Sequence, residues 1–278
     1  MDSLKIFLKR PAGLIGLIFL LMIVALAILA PYLFPDDPWD MAGAPFQPPL
    51  SPDLPLGSDM LGRNVAAGIA YGARVSLTIG LASTLAAVLI GVIVGAFAGY
   101  YGGKVDDALM RITELFQTIP GFILAILLVA TLGPNLRNVI FAIAAVSWPP
   151  LARLTRAEFL RLRNREFVQA AMCQGQGALS VVLRHILPNA ISPIIVTGSL
   201  AIASAILIES ALSFMGLGDP NLMSWGFMVG SARSVIRQAW WMSVFPGVAI
   251  LFTVLAINLV GEGLNDTLNP RISRKRGH

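Results

Sequence analysis

The sequence predicts an all-α membrane protein with six transmembrane helices, and three observations support this prediction. Hydrophobic residues make up 56% of the 278-residue chain and charged residues only 13%, about half the charged share of soluble domains. Long uncharged runs recur, close to the roughly 20 helical residues that cross a hydrocarbon core. The basic residues concentrate in alternate connecting segments. The net charge of +5 therefore reports membrane orientation and does not indicate nucleic-acid binding.

The six predicted spans follow from the uncharged runs and from the prolines that interrupt them. The first run is longer than the roughly 7–15-residue core of a signal peptide, so it predicts an uncleaved helix. Pro120-Gly121 is expected to kink the third span. The fourth run reaches membrane length only by continuing as helix past Arg153, whose long stem can extend to the interface. The spans are 12–34, 75–103, 115–136, 138–152 with its extension, 189–215 and 239–262.

The distribution of basic residues predicts that both termini are cytoplasmic. Fifteen of the 20 lysines and arginines lie in the N-terminal segment, the second and fourth connecting segments and the C-terminal tail. Those segments are therefore expected to be inside. The resulting division is a cytoplasmic N-terminus 1–11, a first transmembrane helix 12–34, an external loop 35–72, a five-helix core 73–265 with the cytoplasmic loop 166–188, and a cytoplasmic tail 266–278.

The second predicted span contains an evenly spaced set of glycines. Gly91, Gly95 and Gly99 recur at intervals of four residues, which places them on one helix face. A face without side chains allows the backbone of a neighbouring helix to approach closely in a membrane. We therefore expect another helix of the bundle to pack against this face.

Residues 166–188 form a polar island between two apolar runs, and their pattern predicts two short helical pieces. Gly175 and Gly177 offer places for the first helix to stop, because glycine adopts the left-handed conformation without steric cost. A second helix is expected to run through Leu187-Pro188 into the fifth span. One side of the first helix holds Phe167, Val168, Ala171, Met172 and Gly175, and the other holds Glu166, Gln169, Cys173 and Gln176. The pattern by itself is also that of a helix lying on the membrane surface.

Several classes of site are excluded by the residue inventory. The single cysteine, Cys173, allows no internal disulfide, and two histidines are too few and too scattered for a metal site. Around Lys104 the sequence approaches a phosphate-binding loop, but alanine replaces the first glycine and valine follows the lysine. The chain is therefore not expected to be an enzyme that hydrolyses nucleotide, and no cofactor or metal is expected on it.

Several motifs in the same order resemble those of bacterial ATP-binding cassette (ABC) importer permeases. Gln169-Ala170-Ala171, Gly175 and Leu187-Pro188 are similar to the EAA loop of that family. Other segments resemble the C-type permease of the dipeptide, oligopeptide and nickel uptake systems. These segments are 56–63, 72–77, 184–189, 209–218, 258–266 and 269–271.

The resemblance implies a type I importer permease that forms half of a translocation pathway for di- or oligopeptides in the bacterial inner membrane. Its implied partners are a second homologous permease, two cytoplasmic ATPase subunits that bind ATP and Mg, an external substrate-binding protein and membrane lipid. The EAA loop is implied to be a coupling helix that docks on an ATPase. The residues so assigned are Glu166, Phe167, Val168, Gln169, Ala170, Ala171, Met172, Gly175, Leu187 and Pro188. Gln169 stands where the family has the glutamate that names the loop, so a charge pairing made there does not carry over.

Four residues on the predicted outer side are candidates for external docking or gating. Asp59, Arg63 and Arg74 either dock the binding protein or hold the outer segment against the spans. Glu209 lies in the fifth span, where a carboxylate costs about 2.5–3.5 kcal/mol unless it faces protein or water. It is either a pathway or gate residue, or it forms a structural hydrogen bond.

Other functions fit the sequence less fully. The same machinery also serves nickel-chelate, opine or glutathione uptake. A stand-alone secondary carrier would need an intramembrane relay of acids and cations, for which Glu209 alone is thin support. A scaffold without transport activity would leave the loop 166–188 unexplained. Stoichiometric association with ATPase subunits is expected only of the importer.

Overall fold

The computed structural model describes Phe7 and residues 10–268, and within that range the named elements are helices, with isolated antiparallel β-bridges between residues 41 and 64. The all-α prediction is confirmed. We number the helices in chain order; a π-helical turn, Val182–Ile186, joins α7 to α8. The helices are α1 (Pro11–Leu33), α2 (Val65–Tyr101), α3 (Gly103–Thr118), α4 (Gly121–Leu132), α5 (Leu136–Arg163), α6 (Glu166–Cys173), α7 (Ala178–Val181), α8 (Leu187–Phe214), α9 (Trp225–Ala232) and α10 (Trp241–Leu268).

Four of the helical stretches are long and apolar enough to cross a membrane: α1, α2, the continuous stretch from α7 to α8, and α10. Helices α3 and α4 form a fifth span only if they are counted together, because they meet at 81°. The break falls at Ile119-Pro120, where the proline cannot continue the hydrogen bonding of α3. The expected kink is therefore a sharp bend. Helix α5, which continues past Arg153 as predicted, is the sixth long element.

Helix α2 begins at Val65, ten residues before the predicted start at 75 and inside the segment 35–72 assigned to an external loop. The early start has a local cause. Asn64 Oδ1 accepts hydrogen bonds from the backbone N–H groups of Ala66 at 2.9 Å and Ala67 at 3.4 Å, which caps the helix. The predicted span begins only at 75 because Arg74 interrupts the uncharged run, although the residues before it are also apolar and pack on protein.

The expected close approach at the glycine face of α2 is confirmed, and the partner is α5. An added Cβ would lie 2.7 Å from the Leu151 Cβ at Gly91, 2.6 Å from the Thr155 Cβ at Gly95 and 2.6 Å from the Phe159 Cβ at Gly99. Such distances are shorter than ordinary carbon contacts of about 3.5–4.0 Å. Helices α2 and α5 are therefore in direct backbone contact along three turns.

The start of α1 and the end of α10 lie at the same end of the bundle. Arg10 Nη1 is 3.2 Å from Asp266 Oδ2, and α1 packs along α10 with Gly16 against Leu259. We call this the inner end, the end predicted to be cytoplasmic, and the opposite end the outer end. The predicted C-terminal motif at 269–271 lies outside the described residues, as does most of the N-terminal segment 1–11.

Candidate functional site

The loop 166–188 folds at the inner end as α6, a turn, α7 and the π-helical turn. Val168 and Ala171 on α6 are buried in this chain's own core, together with Phe159 and Leu162 of α5 and Val181 of α7. This differs from the expectation that Val168 and Ala171 supply the buried contact to a partner. Periodicity places them on an apolar face correctly, but the chain itself covers that face.

The face of α6 that stays open has a different composition. Phe167 is 45% exposed, and Glu166, Ala170 and Cys173 are exposed beside it. Met172 is partly buried against the same inner core as Val168. The surface available to another molecule is thus one aromatic ring flanked by a carboxylate and small residues. We call Glu166, Phe167, Ala170 and Cys173 the open face of α6.

A glycine turn ends α6, as predicted. Gly175 has φ +78°, a conformation that favours glycine. Its N–H donates to the Met172 carbonyl at 2.9 Å, and the next N–H, of Gln176, donates to the Ala171 carbonyl at 3.2 Å. This is the paired arrangement that closes many helix C-termini. An added Cβ at Gly175 would meet no atom within 4 Å, so the requirement for glycine there is conformational rather than steric.

The predicted Leu187-Pro188 element lies at the beginning of α8, immediately after the π-helical turn. A proline inside a continuous helix has no backbone N–H to donate the helical hydrogen bond, and its ring crowds the carbonyl four residues earlier. The wider π-helical turn accommodates this, and π turns commonly relieve such strain. Asn189 Nδ2 donates to the His185 carbonyl at 2.7 Å, which satisfies one of the carbonyls in the distorted stretch.

Gln169 makes a contact that a glutamate could not make. Its Nε2 donates to the Arg163 carbonyl at 2.9 Å, near the C-terminus of α5, where the last carbonyls of a helix lack partners in the helix. A carboxylate would offer no donor there, and its charge would be unfavourable at the negative end of the helix dipole. The departure from the family pattern is thus accommodated by a neutral cap that joins α6 to α5.

At the outer end, Asp59 and Arg63 stabilise the outer segment. Asp59 Oδ1 accepts from the N–H groups of Leu61 and Arg63, both at 2.8 Å. The Arg63 guanidinium lies 4.6 Å from the centre of the Trp39 ring, where the cation is attracted to the aromatic face. Both charged side chains are about one-fifth exposed. Of the two open interpretations, these contacts favour holding the segment.

Arg74 and Glu209, the other two outer candidates, have opposite surroundings. Arg74 is exposed on α2. Glu209 on α8 is 1% exposed, and it accepts hydrogen bonds from Ser213 Oγ at 2.7 Å and Ser210 Oγ at 3.4 Å. A small cavity of about 10 Å³ adjoins Glu209 and is also lined by Ser224, the residue that caps α9. The four outer candidates therefore do not form one site.

The sequence signals did not reveal two polar contacts between distant segments. Asp219 Oδ2 accepts from the Leu136 N–H at 3.0 Å and thereby caps α5 from the outer loop. Arg156 on α5 pairs with Asp106 on α3 through two hydrogen bonds. The partners are 83 and 50 residues apart in sequence, so no local pattern joins them.

Two known families match separate parts of the chain. The family described as "Binding-protein-dependent transport system inner membrane component" matches residues 91–274. This chain belongs to that family. Residues 1–49 match a second description, "N-terminal TM domain of oligopeptide transport permease C". The predicted resemblance to importer permeases is thus confirmed, and the chain is a multi-pass inner membrane component.

Relatives align along almost the whole chain. The di/tripeptide transport system permease protein DppC of Pseudomonas aeruginosa is 40% identical over 273 residues, which is 96% of this chain and 90% of the relative. The dipeptide transport system permease protein DppC of Haemophilus influenzae is 38% identical over 275 residues, with 96% and 93% covered. The Escherichia coli K12 protein of the same name is 38% identical, with 96% and 92% covered.

Solved structures confirm the fold. Two inward-facing structures of the MetNI methionine ABC transporter align with TM-scores of 0.59 and 0.61 at 18% and 17% identity. The alignments cover 71% and 73% of this chain and 94% and 96% of those chains. At such low identity the similarity concerns the fold of ABC importer membrane subunits.

Proposed function

We propose that this chain is the permease subunit of an ATP-driven importer for di- or oligopeptides. The observation that carries the proposal is the 38–41% identity, over nine-tenths or more of the chain, to permeases named for peptide transport. The chain forms half of the translocation pathway, with a second, homologous permease as the other half. Two cytoplasmic ATPase subunits hydrolyse ATP with Mg, and an external binding protein delivers the peptide.

The loop 166–188 couples this permease to an ATPase through the open face of α6. Two features support this role. Val168 and Ala171 anchor α6 to the core that includes Phe159 and Leu162 of α5. A displacement of α6 is therefore transmitted to α5, a long helix of the bundle. The exposed ring of Phe167 offers the apolar contact that a groove on a partner would cover.

Orientation and external docking complete the proposal. Basic residues of the inner end, among them Arg153, Arg161 and Arg165, are exposed and lie on the cytoplasmic side, where anionic lipid attracts them. The binding protein docks on the outer end, where Asp59 and Arg63 shape the surface and Arg74 is exposed.

Co-purification tests the coupling role directly. The detergent-solubilised chain is co-expressed with its candidate ATPases, and the wild type is compared with Gly175→Asp. A side chain at φ +78° is strained, so the variant is expected to displace α6 and to lose the ATPases or uncouple their activity. Phe167→Ser should weaken the same association without disturbing the fold, because Phe167 is exposed.

Gly177→Ser is the matched control. Gly177 has φ −65° and precedes α7 as its N-cap, where serine is favourable, and an added Cβ meets no atom within 4 Å. This variant should keep the ATPases. If no ATPase associates with the wild type, the importer assignment is overturned and a secondary carrier centred on Glu209 becomes the better explanation.

A further inference from the structure

Helix α3 leaves α2 through two glycines that do not fix its direction. Gly102 and Gly103 have φ values of +68° and +52°, and an added Cβ at Gly103 would meet no atom within 4 Å. An open apolar groove of about 480 Å³ lies between the two helices, with Phe97 on one side and Val105 on the other. The angle of α3 must therefore be set mainly by side-chain contacts.

Asp106 provides the polar contact of this kind, and nearer the end of α3 the Phe116 ring meets the Trp148 ring of α5 edge to face. Asp106 and Thr113 are the buried residues of α3, and Thr113 donates to the carbonyl of Leu109 in its own helix at 2.8 Å. Arg156 on α5 donates from both Nε and Nη2 to the two carboxylate oxygens of Asp106. A bidentate pair fixes the relative orientation of its partners as well as their distance. The pair therefore tethers α3 to α5.

The segment of α5 that carries Arg156 is also attached to α6 and α2. Phe159, one turn further along, is in the buried cluster that holds Val168 of α6. On the other side, Gly95 of α2 contacts the α5 backbone at Ala152 and Arg156, and Gly99 contacts the backbone of Arg156 as well. Backbone contact of this closeness leaves little room for sliding. The inner halves of α2 and α5 and the helix α6 thus form one rigid unit.

We propose that Asp106 and Arg156 are positioning residues that transmit movement of α6 to α3, the inner arm of the bent pair α3–α4. Because the glycine junction does not hold α3, the ion pair makes α3 follow the rigid unit. Helix α4, beyond the 81° bend at Pro120, packs directly on α5 through Ala125 and Val129, so α3 is the part of the bent pair whose position depends on the ion pair. The proposal rests on the proposed function, since the movement of α6 originates in the ATPases. Its consequence is that breaking the pair separates ATP hydrolysis from transport.

The test uses the complete importer in liposomes, with ATP hydrolysis and peptide uptake measured in the same vesicles. Asp106→Asn and Arg156→Gln should retain co-purifying ATPases and hydrolysis, but peptide uptake per ATP should fall about tenfold, within the range of coupling effects of residues between sites. The charge-exchanged variant, Asp106→Arg with Arg156→Asp, should recover about half of that loss, since coupled pairs are non-additive. Arg156→Lys, which keeps the charge without the bidentate geometry, should be intermediate.

Glu158→Gln is the matched control, because it breaks a neighbouring exposed ion pair, with Arg161, that stays within α5. It should leave uptake per ATP unchanged. Unchanged uptake per ATP in Asp106→Asn overturns the proposal. A proportional fall of uptake and hydrolysis, with loss of ATPases, shows a merely structural role and also overturns it. A wild-type complex without ATPase instead overturns the proposed function itself.

Discussion

Replacing Gly95 with alanine perturbs the contact between α2 and α5 by a single methyl group. The added carbon would lie 2.6 Å from the Thr155 Cβ and 2.9 Å from the Arg156 backbone nitrogen. Since carbon contacts normally lie at about 3.5–4.0 Å, the helices must separate by about 1 Å. Overpacking of this kind costs about 1–3 kcal/mol. The gain in helix propensity of about 0.5–1 kcal/mol for alanine over glycine offsets only part of that cost.

The assay is the free energy of unfolding of the purified chain in mixed micelles, measured by denaturant titration for wild type, Gly95→Ala and Gly247→Ala. Gly247 lies in α10, and an added Cβ there meets no atom within 4 Å. The control therefore receives the propensity gain without the clash and should be neutral or slightly more stable. Gly95→Ala receives the same gain together with the clash, so it should be less stable than Gly247→Ala by about 1–3 kcal/mol. Equal stability of Gly95→Ala and Gly247→Ala would refute the close contact.

Three further variants test the other sites. Glu209→Gln should leave assembly with the ATPases intact but reduce peptide uptake; normal uptake would remove Glu209 from the transport pathway. Gln169→Glu loses the donor to the Arg163 carbonyl and should destabilise the chain by about 0.5–1.5 kcal/mol, and an unchanged unfolding midpoint would contradict that contact. Gly57→Ala forces a side chain to φ +81° against the Gln47 carbonyl, and it should destabilise the chain by about 1–3 kcal/mol. The outer segment should then become less resistant to protease. Unchanged resistance would contradict the strain.

The outer segment illustrates a motif whose meaning was visible only in three dimensions. The stretch 56–63 is a recognisable sequence pattern, but the pattern is equally compatible with a docking surface and with a structural element. In the fold, Ser58 is fully buried, accepts from the Gln47 N–H at 2.8 Å and donates to the Ala44 carbonyl at 2.7 Å. Trp241 Nε1 donates to the Ser58 carbonyl at 3.0 Å. The motif therefore joins the outer segment to α10.

The loop 166–188 also shows what a sequence pattern leaves open. Helical periodicity grouped Val168 with Phe167, because both are apolar and neighbouring on one side of α6. Burial separates them: Val168 is fully buried in the chain, whereas Phe167 is 45% exposed. A hydrophobic pattern reports that a face will be covered, but it does not report whether the cover comes from the same chain or from a partner.

The amino-acid pattern was sufficient to predict the membrane class, the helical fold, the orientation signal, the glycine face of α2 and the glycine turn after α6. These properties depend on local composition and on the helical period, so a short window of residues contains them. Three contacts became visible only in the folded chain: α5 packs on the glycine face, Gln169 caps α5, and Arg156 pairs with Asp106 across 50 residues of sequence. Such contacts depend on which helices become neighbours, and that is settled by packing of the whole bundle rather than by any segment within it.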